Sequence, residues 1–317
     1  MVSYSMSQVG AKRSNGVNKG SPPFHGIYPM MYAFFGADGG LDRAAMRRQV
    51  EACLAAGAHG IAVLGLATEV GKLSDHERRQ LIDWTAEDIA GRVPLSVTIF
   101  GNTAEDQLSL IAAAANAGAG WVVLQPPRDM SMSEDDLIRF FGGVIDQSPL
   151  PAAIQNAPEY IGIGLTPDGI TRLRREHANF VLLKGEGPAL LIRRIIEQTE
   201  DLAVFNGRAG LELPDNLRAG CAGVIPAAEC IESLVKIYEL MSQGGEANEA
   251  EAERLYACVL PLITFTMQSI DQMICYGKRA AARRLGLDVH DREPGMMPTE
   301  FGLASLERYA ADFPPFS

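Results

Sequence analysis

The chain has 317 residues, 47% hydrophobic and 21% charged, with 28 basic against 39 acidic side chains and a formal charge of −11. Such a composition can bury a sizeable core and excludes extensive disorder. The acidic, evenly spread charge argues against nucleic acid and anionic membrane surfaces as partners, since both attract basic patches.

Residues 1–22 are polar, rich in Ser, Gly, Asn and Lys, and lack the apolar core of a signal peptide. They are expected to form a disordered leader. The pattern changes after Pro23. Residues 26–34 are apolar and aromatic and read as a strand. Residues 41–56 carry apolar side chains at helical spacing behind Asp42, a plausible cap. The run 60–64 (GIAVL) is continuously apolar, as in a strand buried on both faces. Ser74 and Glu77 form the S-x-x-E signature of a capping box and open the next helix.

The alternation then repeats. Strand-like runs at 93–99, 121–124, 152–155, 180–183, 202–205 and 223–225 are separated by helix-like stretches. Eight strands alternating with helices predict a parallel α/β sheet, and the count suits a closed (β/α)8 TIM barrel over residues 23–228. A doubly wound open sheet is the alternative, because periodicity does not reveal closure. From 229 to 317 the strands stop and additional C-terminal helices follow, expected to pack on the barrel. Five cysteines (Cys53, Cys221, Cys230, Cys258, Cys275) form no C-x-x-C pair. They give neither a disulfide framework nor a zinc ribbon, so a cytoplasmic protein is expected. The five histidines have no metal-ligand spacing.

Parallel barrels place their sites at the C-terminal ends of the strands. Here those ends carry Gly65 to Glu69, Gln125 to Arg128, Gln155 to Pro158, Lys184 to Glu186, Asn206 to Arg208, and Pro226. Lys184 ends the apolar run Phe180-Val181-Leu182-Leu183. Burial disfavours an ammonium ion, and a neutral amine can attack a ketone to form a Schiff base. A lysine that snorkels to solvent is the plain alternative. Glu186 is placed to act as general acid or base, or as an ordinary loop carboxylate. Gln155 and Asn156 offer amides to a pocket, or simple turn chemistry. The Gly65, Leu66, Ala67, Thr68, Glu69 loop can present backbone N–H groups to an anion, or be no more than a tight βα connection.

These strand-end motifs, from about residue 24 to about residue 285, resemble the dihydrodipicolinate synthase / N-acetylneuraminate lyase superfamily. The resemblance is carried by Gly26-Ile27-Tyr28-Pro29, Val63-Leu64-Gly65 with Glu69, Pro126-Pro127, Asn156-Ala157-Pro158, Lys184, Asn206-Gly207 and Gly220-Cys221-Ala222-Gly223-Val224-Ile225. It implies a TIM barrel whose lysine, Lys184, forms a Schiff base with a 2-oxo acid, without metal or organic cofactor, in a homotetramer. The departures are informative. Gln155 stands where most members carry a proton-relaying tyrosine, the Gly-Thr-Thr-Gly-Glu loop is Gly65-Leu66-Ala67-Thr68-Glu69, and Tyr160 replaces the arginine that holds the synthase's aldehyde substrate. Gln155-Asn156-Ala157-Pro158, Lys184-Gly185-Glu186-Gly187-Pro188 and Leu260-Pro261-Leu262-Ile263 are similar to the 2-keto-3-deoxyarabonate dehydratase branch.

The resemblance implies a Schiff-base dehydratase acting on a 2-keto-3-deoxy sugar acid. Lys184 is the expected nucleophile, Glu186 the base and Gln155 a positioning group. Gly65, Leu66, Ala67 and Thr68 are expected to hold the C1 carboxylate, with Asn156, Gly207, Arg208 and Ile225 lining the rest of the pocket. A pyruvate-releasing aldolase or a dihydrodipicolinate synthase-like enzyme would use the same Schiff base. A non-catalytic binding protein for oxo acids or sugar acids is the alternative of another class.

Overall fold

The structure is a computed structural model and describes residues 24–311 and 313–316. The expected leader, 1–22, lies outside the described residues. Eight strands form one parallel sheet: β1 (Gly26–Ile27), β2 (Ile61–Val63), β3 (Leu95–Ile99), β4 (Trp121–Leu124), β5 (Ala152–Asn156), β6 (Phe180–Gly185), β7 (Ala203–Asn206) and β8 (Gly223–Val224). Neighbours run β1-β8-β7-β6-β5-β4-β3-β2. The ring closes at Met30, which bridges both Ala62 in β2 and Ala227 beyond β8. The Met31 amide donates to the Ala62 carbonyl and the Ala62 amide to that of Pro29, each at 2.9 Å. The first strand is thus a short ladder, interrupted where Pro29 has no N–H to give, rather than the regular strand expected over 26–34.

Each strand is followed by a helix: α1 (Arg43–Ala55), α2 (Asp75–Ile89), α3 (Ala104–Asn116), α4 (Glu134–Ile145), α5 (Pro167–Glu176), α6 (Ala189–Gln198), α7 (Leu213–Ala219) and α8 (Ile231–Gln243). Their starts are chemically marked. Asp42 caps α1, and capping boxes open α2 (Ser74 with Glu77), α3 (Thr103 with Asp106) and α4 (Ser133 with Asp136). These side chains satisfy amides that a helix leaves without partners at its first turn. Helix α8 packs against β1 and so occupies the eighth place of the ring, which puts the start of the appended helices after it.

Those appended helices are α9 (Glu246–Thr266), α10 (Lys278–Leu285) and α11 (Glu300–Ala310). Between α9 and α10 the chain makes the single turn Ile270–Gln272 and the π-helical turn Met273–Gly277 in place of a continuous helix. Among the described residues no single helix is long and apolar enough to cross a membrane. Inside the barrel Tyr28, Trp121 and Phe205 meet pairwise, with ring centroids 5.5 to 5.6 Å apart. The rings fill the barrel as a packed core rather than a pore.

Candidate active site

A β-bulge sets the register at the centre of the site. Ala152 pairs with Phe180 but Ala153 with Leu182, so Val181 is an extra residue on β6. The slip brings Lys184 opposite Gln155 on one side and Phe205 on the other. Side chains at one register level of parallel strands share a face, so Lys184, Gln155 and Phe205 project the same way. Residues two apart also share a face, which brings Glu186 to the same side just beyond β6.

The result is a buried chain of polar groups. The Lys184 Nζ lies 3.0 Å from Glu186 Oε1, both side chains about 95% enclosed (6% and 5% exposed). Gln155 Nε2 donates to the same Oε1 at 2.7 Å, and Gln125 Nε2 donates to Gln155 Oε1 at 2.9 Å. Gln107 Nε2 donates to the Gln125 carbonyl at 2.8 Å. Glu186 Oε2 carries no hydrogen bond among the described residues. Gly207 packs against Glu186: a Cβ there would stand 2.7 Å from the carboxyl carbon, so a larger residue forces the Glu186 side chain to shift.

Lys184 and Glu186 line a narrow cavity of about 30 Å³, together with Leu66, Ala67, Gly207, Arg208 and Ile225. Arg208 is clamped across the mouth, its Nε 3.3 Å from the Tyr160 hydroxyl and its Nη1 3.0 Å from Glu212. Both Arg208 and Ala209 take left-handed backbone (φ 53° each), a conformation costly for residues with a side chain and concentrated at functional sites.

Three of the expected pocket residues are placed elsewhere. Thr68 is fully buried and its hydroxyl donates to the Met31 carbonyl at 2.6 Å, which ties the β2 loop to the segment that follows β1. Asn156 exchanges two hydrogen bonds with the backbone of Leu165 at 3.0 and 2.7 Å. The Gly65 amide points at the Met30 sulfur, 3.1 Å away. None of the three lines the cavity. In contrast, the amides of Leu66 and Ala67 donate to no backbone carbonyl among the described residues.

Two features have no strong sequence signal. Strand-end position names Gln125 without giving it a role, and Gln107 lies on α3, far from any strand end. The cavity roof comes from Met267, Ile270 and Met273, side chains that in sequence look like core filler. Among the described residues no three His, Cys, Asp or Glu side chains gather as a metal-ligand set.

A second buried ionic group lies behind the β2 loop. Glu69, itself in left-handed backbone, pairs with the fully enclosed Lys278 and, at 2.6 Å, with Lys72. Burial lowers the tendency of Lys278 to hold its proton, and the Glu69 carboxylate opposes that effect. Glu229 is buried too, accepting from the Tyr32 hydroxyl at 3.0 Å, and burial raises its carboxyl above the usual range.

A lysine and a carboxylate enclosed together at the C-terminal mouth of a parallel barrel are the equipment of an enzyme that works on carbonyl compounds. The chain belongs to the dihydrodipicolinate synthetase family, whose model matches residues 23–308. It is accordingly a lyase of the kind that acts through a Schiff-base lysine on small molecules. It is 32% identical over 247 residues to the 4-hydroxy-tetrahydrodipicolinate synthase of Methanoculleus marisnigri, covering 76% of this chain and 83% of that one. It is 31% identical over 161 residues to YagE of Escherichia coli K12, provisionally named a 2-dehydro-3-deoxy-D-gluconate aldolase, over 51% of this chain and 53% of that one. The fold is shared with the crystal structure of dihydrodipicolinate synthase from Thermotoga maritima, at a TM-score of 0.83 and 22% identity over 91% of this chain and 98% of that one.

Proposed function

We propose that the chain is a Schiff-base dehydratase for a 2-keto-3-deoxy sugar acid, with Lys184 as nucleophile and Glu186 as the group that moves protons. The observation that supports this most is the Glu186 carboxylate itself. One oxygen is held by Lys184 and Gln155, while the other is free and belongs to a residue that lines the cavity. Glu186 takes a proton from Lys184, and the neutral amine attacks the C2 ketone. The carbinolamine loses water with that proton and becomes an iminium ion. Glu186 then removes a C3 proton, the electrons passing to the iminium nitrogen to give an enamine. When these electrons return, the C4 hydroxyl leaves as water with the proton from Glu186, and hydrolysis frees Lys184. The unpaired amides of Leu66 and Ala67 hold the C1 carboxylate. Arg208 and Tyr160 meet the distal hydroxyls.

A pyruvate-releasing aldolase is the second reading, favoured by the similarity to YagE. It breaks the C3–C4 bond from the same iminium. We also propose a homotetrameric assembly, which sedimentation velocity tests.

Borohydride trapping with peptide mapping tests the chemistry. Incubation with a 2-keto-3-deoxypentonate should leave a reduced adduct on Lys184, with no pyruvate released. Pyruvate among the products would establish the aldolase instead. Absence of an adduct across a panel of 2-oxo acids would remove both readings and leave a binding protein.

A further inference from the structure

The amide chain behind Glu186 has a direction. An ionised carboxylate only accepts hydrogen bonds, so Gln155 must turn its NH₂ group toward Glu186 and its carbonyl away. Gln125 meets that carbonyl with its own NH₂ group at 2.9 Å. Gln155 is fully enclosed and Gln125 nearly so, so neither amide can exchange its partner for bulk water. Gln107, also fully enclosed, fixes the end of β4 by donating to the carbonyls of Gln125 and Gly101. If Gln155 rotated by half a turn, its carbonyl would face Glu186, an arrangement satisfied only when Glu186 carries a proton.

We propose that Gln125 is a positioning residue for the reaction: by donating to Gln155 it holds that amide in the orientation that keeps Glu186 ionised and its free oxygen aimed into the cavity. The proposal rests on Glu186 as the base that removes the C3 proton. Gln125 makes no hydrogen bond to Lys184 or Glu186 among the described residues; its effect passes through Gln155. The charged groups that line the cavity with Glu186 are Lys184 on β6 and Arg208 beyond β7. The lining from the β2 loop, from β8 and from the roof is uncharged.

Exchange of the methyl protons of pyruvate for deuterium, followed by NMR over a range of pD, reads proton removal at C3 directly. It needs no knowledge of the physiological substrate. The wild-type protein must first show exchange that Lys184→Arg abolishes; if it does not, the reading of the site fails and this proposal with it. Gln125→Met keeps the shape and removes the donor. It should slow exchange by about tenfold, the size of one hydrogen bond to a charged system, and move the acidic limb of the profile to higher pD. Borohydride adduct formation at Lys184 should continue. In a Gln155→Met background the same substitution should change nothing further, because a residue that acts only through another is silent once that other is gone. Wild-type exchange in Gln125→Met would overturn the proposal, as would an equal loss in both backgrounds. Circular dichroism establishes that the variants are folded. If Gln125→Met does not fold, Gln125→Asn, which withdraws the donor by one methylene, is read by the same criteria.

Discussion

Gly207 and Glu186 are in contact across the ends of β7 and β6, with room between them for a hydrogen and nothing larger. The glycine therefore determines where the carboxylate can stand. Gly207→Ala should push Glu186 away from Lys184 and lower turnover by about 100-fold, the effect of misplacing a reacting group by an ångström. The thermal melt should stay near that of the wild type. Steady-state kinetics alongside calorimetry checks both halves.

Glu186→Gln separates attack from proton removal. The amide still packs beside Lys184 but accepts no proton. Pyruvate should still be trapped on Lys184 by borohydride at high pH, where the amine is neutral without help. Methyl-proton exchange should fall by roughly 10² to 10⁴, the usual contribution of a general base. Equal loss of both signals would assign Glu186 to imine formation instead.

Glu229 makes stability depend on pH. Burial raises its folded-state carboxyl above the usual value. Between the unfolded and folded titration points the native state holds the extra proton, so stability falls as pH rises through that window. Glu229→Gln keeps an acceptor for the Tyr32 hydroxyl and never ionises. It should raise Tm by about 2 to 4 °C at pH 8 and change it little at pH 5. Melting curves across that range decide the matter, and a uniform shift would remove Glu229 as the cause.

Glu69 and Lys278 should respond unequally to deletion. Glu69→Ala strands the enclosed Lys278 ammonium, with the Phe35 ring 5.2 Å away and the charge of Asp291 as its remaining attractions. Breaking a buried pair in this way costs about 3 to 5 kcal/mol. Lys278→Met leaves Glu69 paired with Lys72 and should cost clearly less. Denaturant unfolding of the two variants gives the comparison directly.

Much of this architecture is legible in the sequence because the signals are local. The capping boxes at Ser74, Thr103 and Ser133 and the apolar runs at β2, β4 and β6 each involve a few neighbouring residues. Lys184 and Glu186 are legible for a similar reason, since the end of a strand is visible as the end of an apolar run. What the sequence hides is pairing at a distance. Val181 reads as one more strand residue, and its role as a bulge exists only relative to β5. Thr68 looks like a substrate donor, but its hydroxyl donates its hydrogen bond to the Met31 carbonyl, 37 residues away. The glutamines at 107 and 125 acquire meaning only when four elements stack them behind Glu186.

The roof over the site carries a kinetic implication. Met267, Ile270 and Met273 narrow the cavity beside Lys184 and Glu186 to about 30 Å³. A substrate seated against Lys184 shares this space with those three side chains. They belong to the broken stretch between α9 and α10, where one isolated turn and one π-helical turn replace a continuous helix. The segment can yield without unwinding the barrel. A slow movement of this segment would make turnover depend on a piece of chain remote in sequence from Lys184 as well as on the chemistry at the mouth.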